Sequence, residues 1–260
     1  MVQLEVTPSK KENLERVLTS IEKAGAQSDV IVFPEYCMGY PPDGLSRKYV
    51  EDLGEPVNGD FVRAVAEASE RLQVTVVVPI YEKENGSVYN AAVVTDKGKI
   101  LGGYRKVHLF DALGYRESDM FRSGSAPVVF NVAGTKFGLV ICYDIRFPEL
   151  IRAEVMAGAR VVLAPAGWVR GALKEEQWQT LLSARAQENT SYVIGVGNAN
   201  PAFIGRSAAV DPLGVKLLDL GSGDIIGFCE VDDTRVTKAR EILPVLKQAS
   251  NTVYSACVQI

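Results

Sequence analysis

Histidine is nearly missing from this chain: His108 is the only one in 260 residues. That count excludes a histidine-rich zinc site and an H-E-x-x-H helix, and it forces any Ser-His or Cys-His mechanism through one residue. Cysteine is scarce too. Cys37, Cys142, Cys229 and Cys257 form no C-x-x-C pair and stand apart from the histidine, so neither a disulfide framework nor a metal site is expected, and the thiols read as reduced. No apolar run approaches the ~20 residues that span a bilayer. With a net charge of −4 and no long basic stretch, nothing favours nucleic acid or an anionic membrane as a partner. The start, Met1-Val2-Gln3-Leu4-Glu5, has no basic leader followed by an apolar region, so secretion is not indicated and a cytoplasmic protein is expected.

What is present is a core-forming composition, 47% hydrophobic and 23% charged. With no low-complexity linker, one domain over residues 1–260 is expected. Short β-rich runs alternate with helical periodicity, which predicts α/β architecture. The strands expected in the first half are 2–6, 29–33, 74–80, 89–95 and 99–104. Those in the second are 128–132, 135–142, 160–164, 191–196, 207–210 and 224–231, with helices at 10–23, 60–72, 148–157 and 174–189. The two halves repeat one order: Phe33-Pro34-Glu35 answers Leu163-Ala164-Pro165, and Thr95-Asp96-Lys97-Gly98 answers Val210-Asp211-Pro212-Leu213-Gly214. Two pseudo-symmetric sheets packed face to face, with helices outside, are the expected fold. A single mixed sheet has the same apolar strands and stays open on periodicity alone. Apolar positions on the outer helix 174–189 and in the run 253–260 would be partly exposed in a monomer, which predicts a homodimer or higher homo-oligomer.

The chemistry starts at Phe137-Gly138-Leu139-Val140-Ile141-Cys142-Tyr143-Asp144, an apolar strand ending in a cysteine, with a proline-started helix after Ile145-Arg146-Phe147. Backbone N–H groups at such a turn stabilise charge on a bound oxygen and favour thiolate over thiol, lowering the thiol pKa. A free cysteine is also commonly a structural core residue, and on its own Cys142 divides evenly between the two readings. Cys229 and Cys257 lack such a turn and read as structural. A thiol nucleophile needs a base. His108 shares a strand face with Lys106 but is expected to be structural, so the base is sought elsewhere. Glu35 ends the buried-type strand Val30-Ile31-Val32-Phe33 and is flanked by Phe33 and Tyr36-Cys37-Met38, unlike an exposed loop carboxylate. Lys106 ends Leu101-Gly102-Gly103-Tyr104-Arg105; a lysine there is usually a snorkelling surface charge, and its case rests on its company. All three residues end strands of one α/β fold, where such folds collect their sites.

Together, Phe33-Pro34-Glu35, Tyr104-Arg105-Lys106-Val107-His108-Leu109 and Cys142-Tyr143-Asp144-Ile145-Arg146-Phe147-Pro148-Glu149 resemble the signatures of the nitrilase superfamily of carbon–nitrogen hydrolases over nearly the whole chain. The resemblance implies a four-layer α-β-β-α sandwich that dimerises. It also implies Glu35 as general base, Lys106 as stabiliser of the tetrahedral intermediate and Cys142 as nucleophile. Glu117, in Gly114-Tyr115-Arg116-Glu117-Ser118, matches a supporting second glutamate. The family's first strand is usually preceded by more residues than Met1 and Val2 supply, which leaves the edge of one sheet open.

The expected reaction is hydrolysis of a small aliphatic or carboxylate-bearing amide through a thioester, with no metal or organic cofactor. The stretch from His108-Leu109-Phe110-Asp111 to Glu117-Ser118-Asp119 resembles the amidase branches, including those acting on omega-amides of keto acids, and Glu117 could hold the amide NH₂ or tune Glu35. Nitrile hydrolysis by the same three residues is the first alternative. A catalytically silent binding protein of the same fold is the second, against which three polar groups kept in a cleft argue. Tyr143, Tyr40 and Trp168 follow strand ends and are candidates to line a substrate cleft, with core or interface packing equally open. Arg146 and Arg170 are candidates for a substrate carboxylate, although an ion pair of Arg146 with Asp144 or Glu149 is the expectation.

Overall fold

A computed structural model describes residues 1–250 of the chain. Cys257 and the run 253–260, expected to contribute to assembly, lie outside the described residues. The first half comprises β1 (Val2–Gln3), α1 (Lys10–Gly25), β2 (Val30–Val32), α2 (Arg47–Leu53), α3 (Asp60–Leu72), β3 (Thr75–Glu84), β4 (Ser87–Asp96) and β5 (Lys99–Arg105). A small hairpin, β6 (Asp111–Ala112) and β7 (Tyr115–Arg116), leads to the second half. There follow β8 (Val129–Val132), β9 (Thr135–Leu139), α4 (Pro148–Met156), β10 (Val161–Ala166), α5 (Lys174–Asn189), β11 (Tyr192–Gly197), β12 (Ala208–Val210), β13 (Lys216–Asp219), β14 (Ile225–Ile226), α6 (Asp233–Ile242) and α7 (Val245–Ser250).

The expected repetition is visible in the ladders. One sheet runs β2-β3-β4-β5, with β2 parallel to β3 and the other pairs antiparallel. The other runs β8-β9-β10-β11-β12-β13, and its β10 is parallel to β11 with β12 and β13 antiparallel, the same sequence of directions. The layers follow from period-two burial. Along β3, Val76, Val78 and Ile80 pack with Val17 and Ile21 of α1 and Phe61 and Val65 of α3. Val77, between them, faces the other way and packs with Val161, Leu163 and Val193 of the second sheet. Leu150 and Ile151 of α4, and Trp178, Leu182 and Ala186 of α5, cover that second sheet. Helix, sheet, sheet, helix is therefore the order of layers, and the single mixed sheet is excluded.

Several expectations shift. The strand expected at 2–6 is only Val2–Gln3, paired with β14 in a sheet of its own. Beyond it the backbone is taken up otherwise: Leu4 O accepts from Ala199 N–H and Val6 N–H donates to Asn198 Oδ1. The strand expected at 135–142 stops at Leu139, because the chain turns into a 3₁₀ segment at Cys142–Arg146. The outer helix α5 was expected to leave apolar positions partly exposed; Leu181 is half-buried, while Trp178, Leu182 and Ala186 are fully buried on the sheet. Exposed large apolar side chains lie elsewhere, at Met156, Leu213, Val215, Leu217 and Ile242. Among the described residues no helix is long and apolar enough to cross a membrane.

Candidate active site

Because β2 and β3 are parallel and β5 lies two antiparallel steps beyond β3, the ends of β2, β3 and β5 point the same way. Glu35 follows β2 and Lys106 follows β5, so both arrive at one end of the sandwich. Cys142, after β9, and Gly167, after β10, arrive there from the second sheet. Glu35 and Lys106 are both buried, and their ion pair, Nζ to Oε1, is 3.0 Å long. Lys106 Nζ also lies 2.8 Å from Glu117 Oε2. Glu35 is further held by Asn90 Nδ2, donating to Oε1 at 2.7 Å, and by Gly167 N–H, donating to Oε2 at 2.7 Å, which leaves Oε2 a free acceptor position for the Cys142 thiol.

Asn90 was missed by the sequence reading. Its Nδ2 group donates to Glu35 Oε1 and to Glu117 Oε1, at 2.7 and 2.8 Å, tying the two carboxylates together. Its carbonyl accepts from Lys106 N–H at 2.8 Å. The available signal was a lone amide in the otherwise apolar strand Val88-Tyr89-Asn90-Ala91-Ala92-Val93, where an unpaired polar group would be unfavourable. Asn198 was also missed; its Nδ2 donates to the carbonyl of Glu35 at 3.0 Å and holds the backbone on that side.

The electrostatics are those of charges taken out of water. Burial opposes the charge on Lys106, but Glu117 and Glu35 outweigh it and hold the ammonium well above the ordinary lysine range. Burial raises Glu117; the Lys106 ammonium pulls back, and Glu35 adds to the rise. For Cys142 the turn was expected to lower the thiol pKa. The structure shows the opposite: burial first, then the neighbouring Glu35 carboxylate, push it well above its usual range, with Lys106 only partly offsetting them.

The backbone at Cys142 has φ +49°, a left-handed conformation uncommon for a side chain with a Cβ. Asp144 braces it. Asp144 Oδ2 accepts from Ile141 N–H at 3.0 Å and from Tyr104 OH at 2.7 Å, and Oδ1 accepts from His108 N–H at 2.9 Å. His108 Nδ1 lies 2.8 Å from the same oxygen and its ring stacks on Phe147 at 3.6 Å. His108 therefore has the structural place expected of it.

Above this floor opens a cavity of 320 Å³ whose wall includes Cys142, Lys106, Tyr143, Tyr40 and Trp168, so all three aromatic candidates reach it. Glu35 and Glu117 lie directly behind the wall. Both Glu117 oxygens are engaged, since Phe110 N–H donates to Oε2 at 2.6 Å while Asn90 and Lys106 take up Oε1. That leaves no free oxygen for a substrate NH₂. Arg146 and Arg170 also line the cavity, joined by Lys174, which the sequence reading passed over. The expected ion pair of Arg146 with Asp144 or Glu149 is absent. Its guanidinium donates instead to Gln177 Oε1 at 2.9 Å and lies 4.7 Å from the centre of the Trp168 ring, because Asp144 is committed to the turn. Lys174 is lowered from its ordinary range by burial and then by Arg146. Among the described residues no cluster of three or more His, Cys, Asp or Glu is arranged to hold a metal.

Comparison with known proteins agrees with this geometry. The carbon-nitrogen hydrolase family model matches residues 1–241. The chain is 34% identical to the deaminated glutathione amidase of Escherichia coli O157:H7, over 94% of each chain. It is 30% identical to the omega-amidase NIT2 of Bos taurus, over 98% of this chain and 95% of that one. Among solved structures, Saccharomyces cerevisiae Nit3, a member of branch 10 of the nitrilase superfamily, superposes with a TM-score of 0.83 at 26% identity, covering 96% of this chain and 94% of its own. The Xanthomonas campestris protein XC1258 shares the fold with a TM-score of 0.87 at 22% identity, over 98% and 97%. With its matched residues, its layered sheets and amidases among its full-length relatives, the chain belongs to the carbon-nitrogen hydrolase family and is a hydrolase of the nitrilase superfamily.

Proposed function

We propose that the enzyme hydrolyses a small carboxylate-bearing amide to the acid and ammonia, with Cys142 as nucleophile, Glu35 as general base and Lys106 as electrostatic stabiliser. The supporting observation is the lining of the cavity. Cys142 and Lys106 line it together with Arg146, Arg170 and Lys174, three further cations, and no carboxylate is among the lining residues. Such a wall suits an anionic end on the substrate, and the planar guanidinium of Arg146, steadied by Trp168 and Gln177, suits a carboxylate. The deaminated glutathione amidase and omega-amidase relatives carry names consistent with this reading.

The steps follow from what each group can do. Because the thiol is held high, the resting nucleophile is protonated, and Glu35 takes its proton as sulfur attacks the amide carbon. The carbonyl π electrons move to oxygen, where the Lys106 ammonium and the backbone N–H of Tyr143 stabilise the developing charge. Glu35 returns the proton to nitrogen, ammonia departs and a thioester remains on Cys142. Water, deprotonated by Glu35, then attacks the thioester, and the acid leaves as the thiol regains its proton. Glu117 and Asn90 act on Lys106 and Glu35 as positioning residues.

The test is ammonia release across matched substrates: an amide with a distal carboxylate, its neutral isostere and the corresponding nitrile. The carboxylate-bearing amide is expected to have the highest kcat/KM. Arg146→Gln should cut that value by about 10–100-fold, the worth of a charge-assisted hydrogen bond, while changing the neutral amide little. Equal treatment of charged and neutral amides refutes the anionic substrate, and a tenfold preference for nitriles refutes the amide.

A further inference from the structure

Tyr36 follows Glu35 in the chain, and its backbone sits at φ +70°, left-handed for a bulky aromatic residue. Such a conformation is normally left to glycine or asparagine, so the surroundings must hold it. They do. Its ring packs against Tyr40, Phe203 and Tyr81, with centroids 5.4, 5.7 and 6.3 Å away, and lines the cavity that Cys142 opens into. On another side it rests on Gly167. A Cβ at Gly167 would stand 2.6 Å from Tyr36 Cε2, 2.8 Å from Cδ2 and 3.2 Å from Phe203 Cε1. Gly167 is not in the left-handed region, so it is the ring of Tyr36, not backbone conformation, that excludes a side chain there. The same Gly167 N–H holds Glu35 Oε2 at 2.7 Å. Ring and notch therefore lie beside the carboxylate that serves the reacting centre.

We infer that Tyr36 is a specificity-determining residue: seated in the notch at Gly167, its ring limits the substrate to acyl chains unbranched at the carbon next to the carbonyl. Tyr36 lines the same cavity as Cys142 and Lys106; on this inference a carbonyl held by those two groups sets its next carbon against the ring, and a branch there meets it. The two positions are coupled in volume. A side chain at 167 has to push the ring into the space the acyl chain needs, because Tyr40, Tyr81 and Phe203 close the ring's other sides.

This inference rests on amide hydrolysis at Cys142, and the experiment separates the two. Tyr36→Leu, Tyr36→Ala, Tyr36→Phe, Gly167→Ala and the Tyr36→Ala/Gly167→Ala double variant are compared with the wild type, thermal melting reporting the fold. Selectivity is read twice: as kcat/KM for a linear amide against its α-methyl homologue, and as the rate of Cys142 alkylation by iodoacetamide against 2-iodopropanamide. One methylene-sized change in a pocket is worth about 10–200-fold in discrimination. Tyr36→Leu and Tyr36→Ala are expected to shift both ratios toward the branched partner by about tenfold or more, and Tyr36→Phe, which keeps the ring, is not. Gly167→Ala should lower kcat/KM for the linear amide by ~10–100-fold through misplacement of the acyl chain, and adding Tyr36→Ala should recover most of that loss. If the wild type turns over no amide, the proposed reaction fails, and the alkylation ratio still decides the role of Tyr36. Unchanged ratios in folded Tyr36→Leu and Tyr36→Ala, or a Gly167→Ala enzyme with wild-type activity, overturn the inference.

Discussion

Glu154 is a carboxyl group in the wrong solvent, and replacing it should make the enzyme more tolerant of alkaline pH. It lies on the inner face of α4, fully buried, where Oε1 accepts from Leu139 N–H at 3.1 Å and the Val128 backbone N–H also approaches the carboxyl. The room for it comes from β9: a Cβ at Gly138 would stand 2.4 Å from Glu154 Oε2. Burial pushes its pKa from 4.5 to about 8, the Leu139 and Val128 N–H groups only partly opposing. The folded pKa is thus raised above the unfolded one, so the unfolded chain releases this proton first. Stability is undiminished below about pH 4.5, falls as pH climbs through the window up to about 8, and is flat beyond it. Each unit is worth about 1.4 kcal/mol, so the full loss is of the order of 5 kcal/mol. Glu154→Gln removes the titration while keeping shape and one acceptor. The comparison is urea unfolding of both proteins at about pH 5 and about pH 8, where constant differences between Gln and Glu cancel. The stability gap should move in favour of the variant by roughly 3–4 kcal/mol between the two conditions, or ~10 °C in melting temperature for a chain of this size. A gap that stays the same at both pH values refutes the buried, protonated carboxyl.

Two further outcomes follow from the site. Asn90→Leu removes the donor that ties Glu35 to Glu117, so kcat should fall by ~10²–10³-fold and stability by roughly 3 kcal/mol, two charge-assisted hydrogen bonds being lost from buried carboxylates; near-normal kcat in a folded variant would show that the tie is dispensable. Because the Cys142 thiol lies well above its usual range, alkylation of the substrate-free enzyme should keep accelerating above about pH 9, while a rate already on its plateau at neutral pH would mean a thiolate at rest.

The parts of the fold legible in the sequence are those where local periodicity and tertiary packing ask for the same thing. Helix α3 begins and ends at the expected residues because Phe61, Val62, Val65 and Ala66 make one apolar face over the sheet. Strands β3 and β4 are long enough for their β-branched runs, Thr75-Val76-Val77-Val78 and Val93-Val94-Thr95, to declare themselves. By contrast β1 and β14 have strand-like sequences on both sides of their two-residue ladder, and the adjoining residues find partners in loops, which no periodicity reveals. Helix α6 was missed since its residues are mostly polar, with only Val236 and Ala239 buried, and its start rests on the Asp232 side chain accepting from Thr234 N–H. The hairpin β6–β7 is two residues per strand and below any periodic signal.

The site divides along the same line. Glu35, Lys106, Cys142 and Glu117 could be picked out because each sits in a motif or at a strand end. Asn90 could not, since its importance lies in distance to residues 55 and 27 positions away in the chain. The wrong expectation for the Cys142 thiol has the same origin. A turn of backbone N–H groups is a local feature readable from Cys142-Tyr143-Asp144, whereas the burial and the Glu35 carboxylate that overrule it come from the opposite sheet. Arg146 was assigned to Asp144 or Glu149 by proximity in sequence, yet Asp144 is claimed by Tyr104, His108 and Ile141, two of which arrive from the other half of the molecule. Once that carboxylate is committed, Arg146 is left to the cavity, and a residue that sequence proximity placed in the scaffold becomes the best candidate for holding the far end of the substrate.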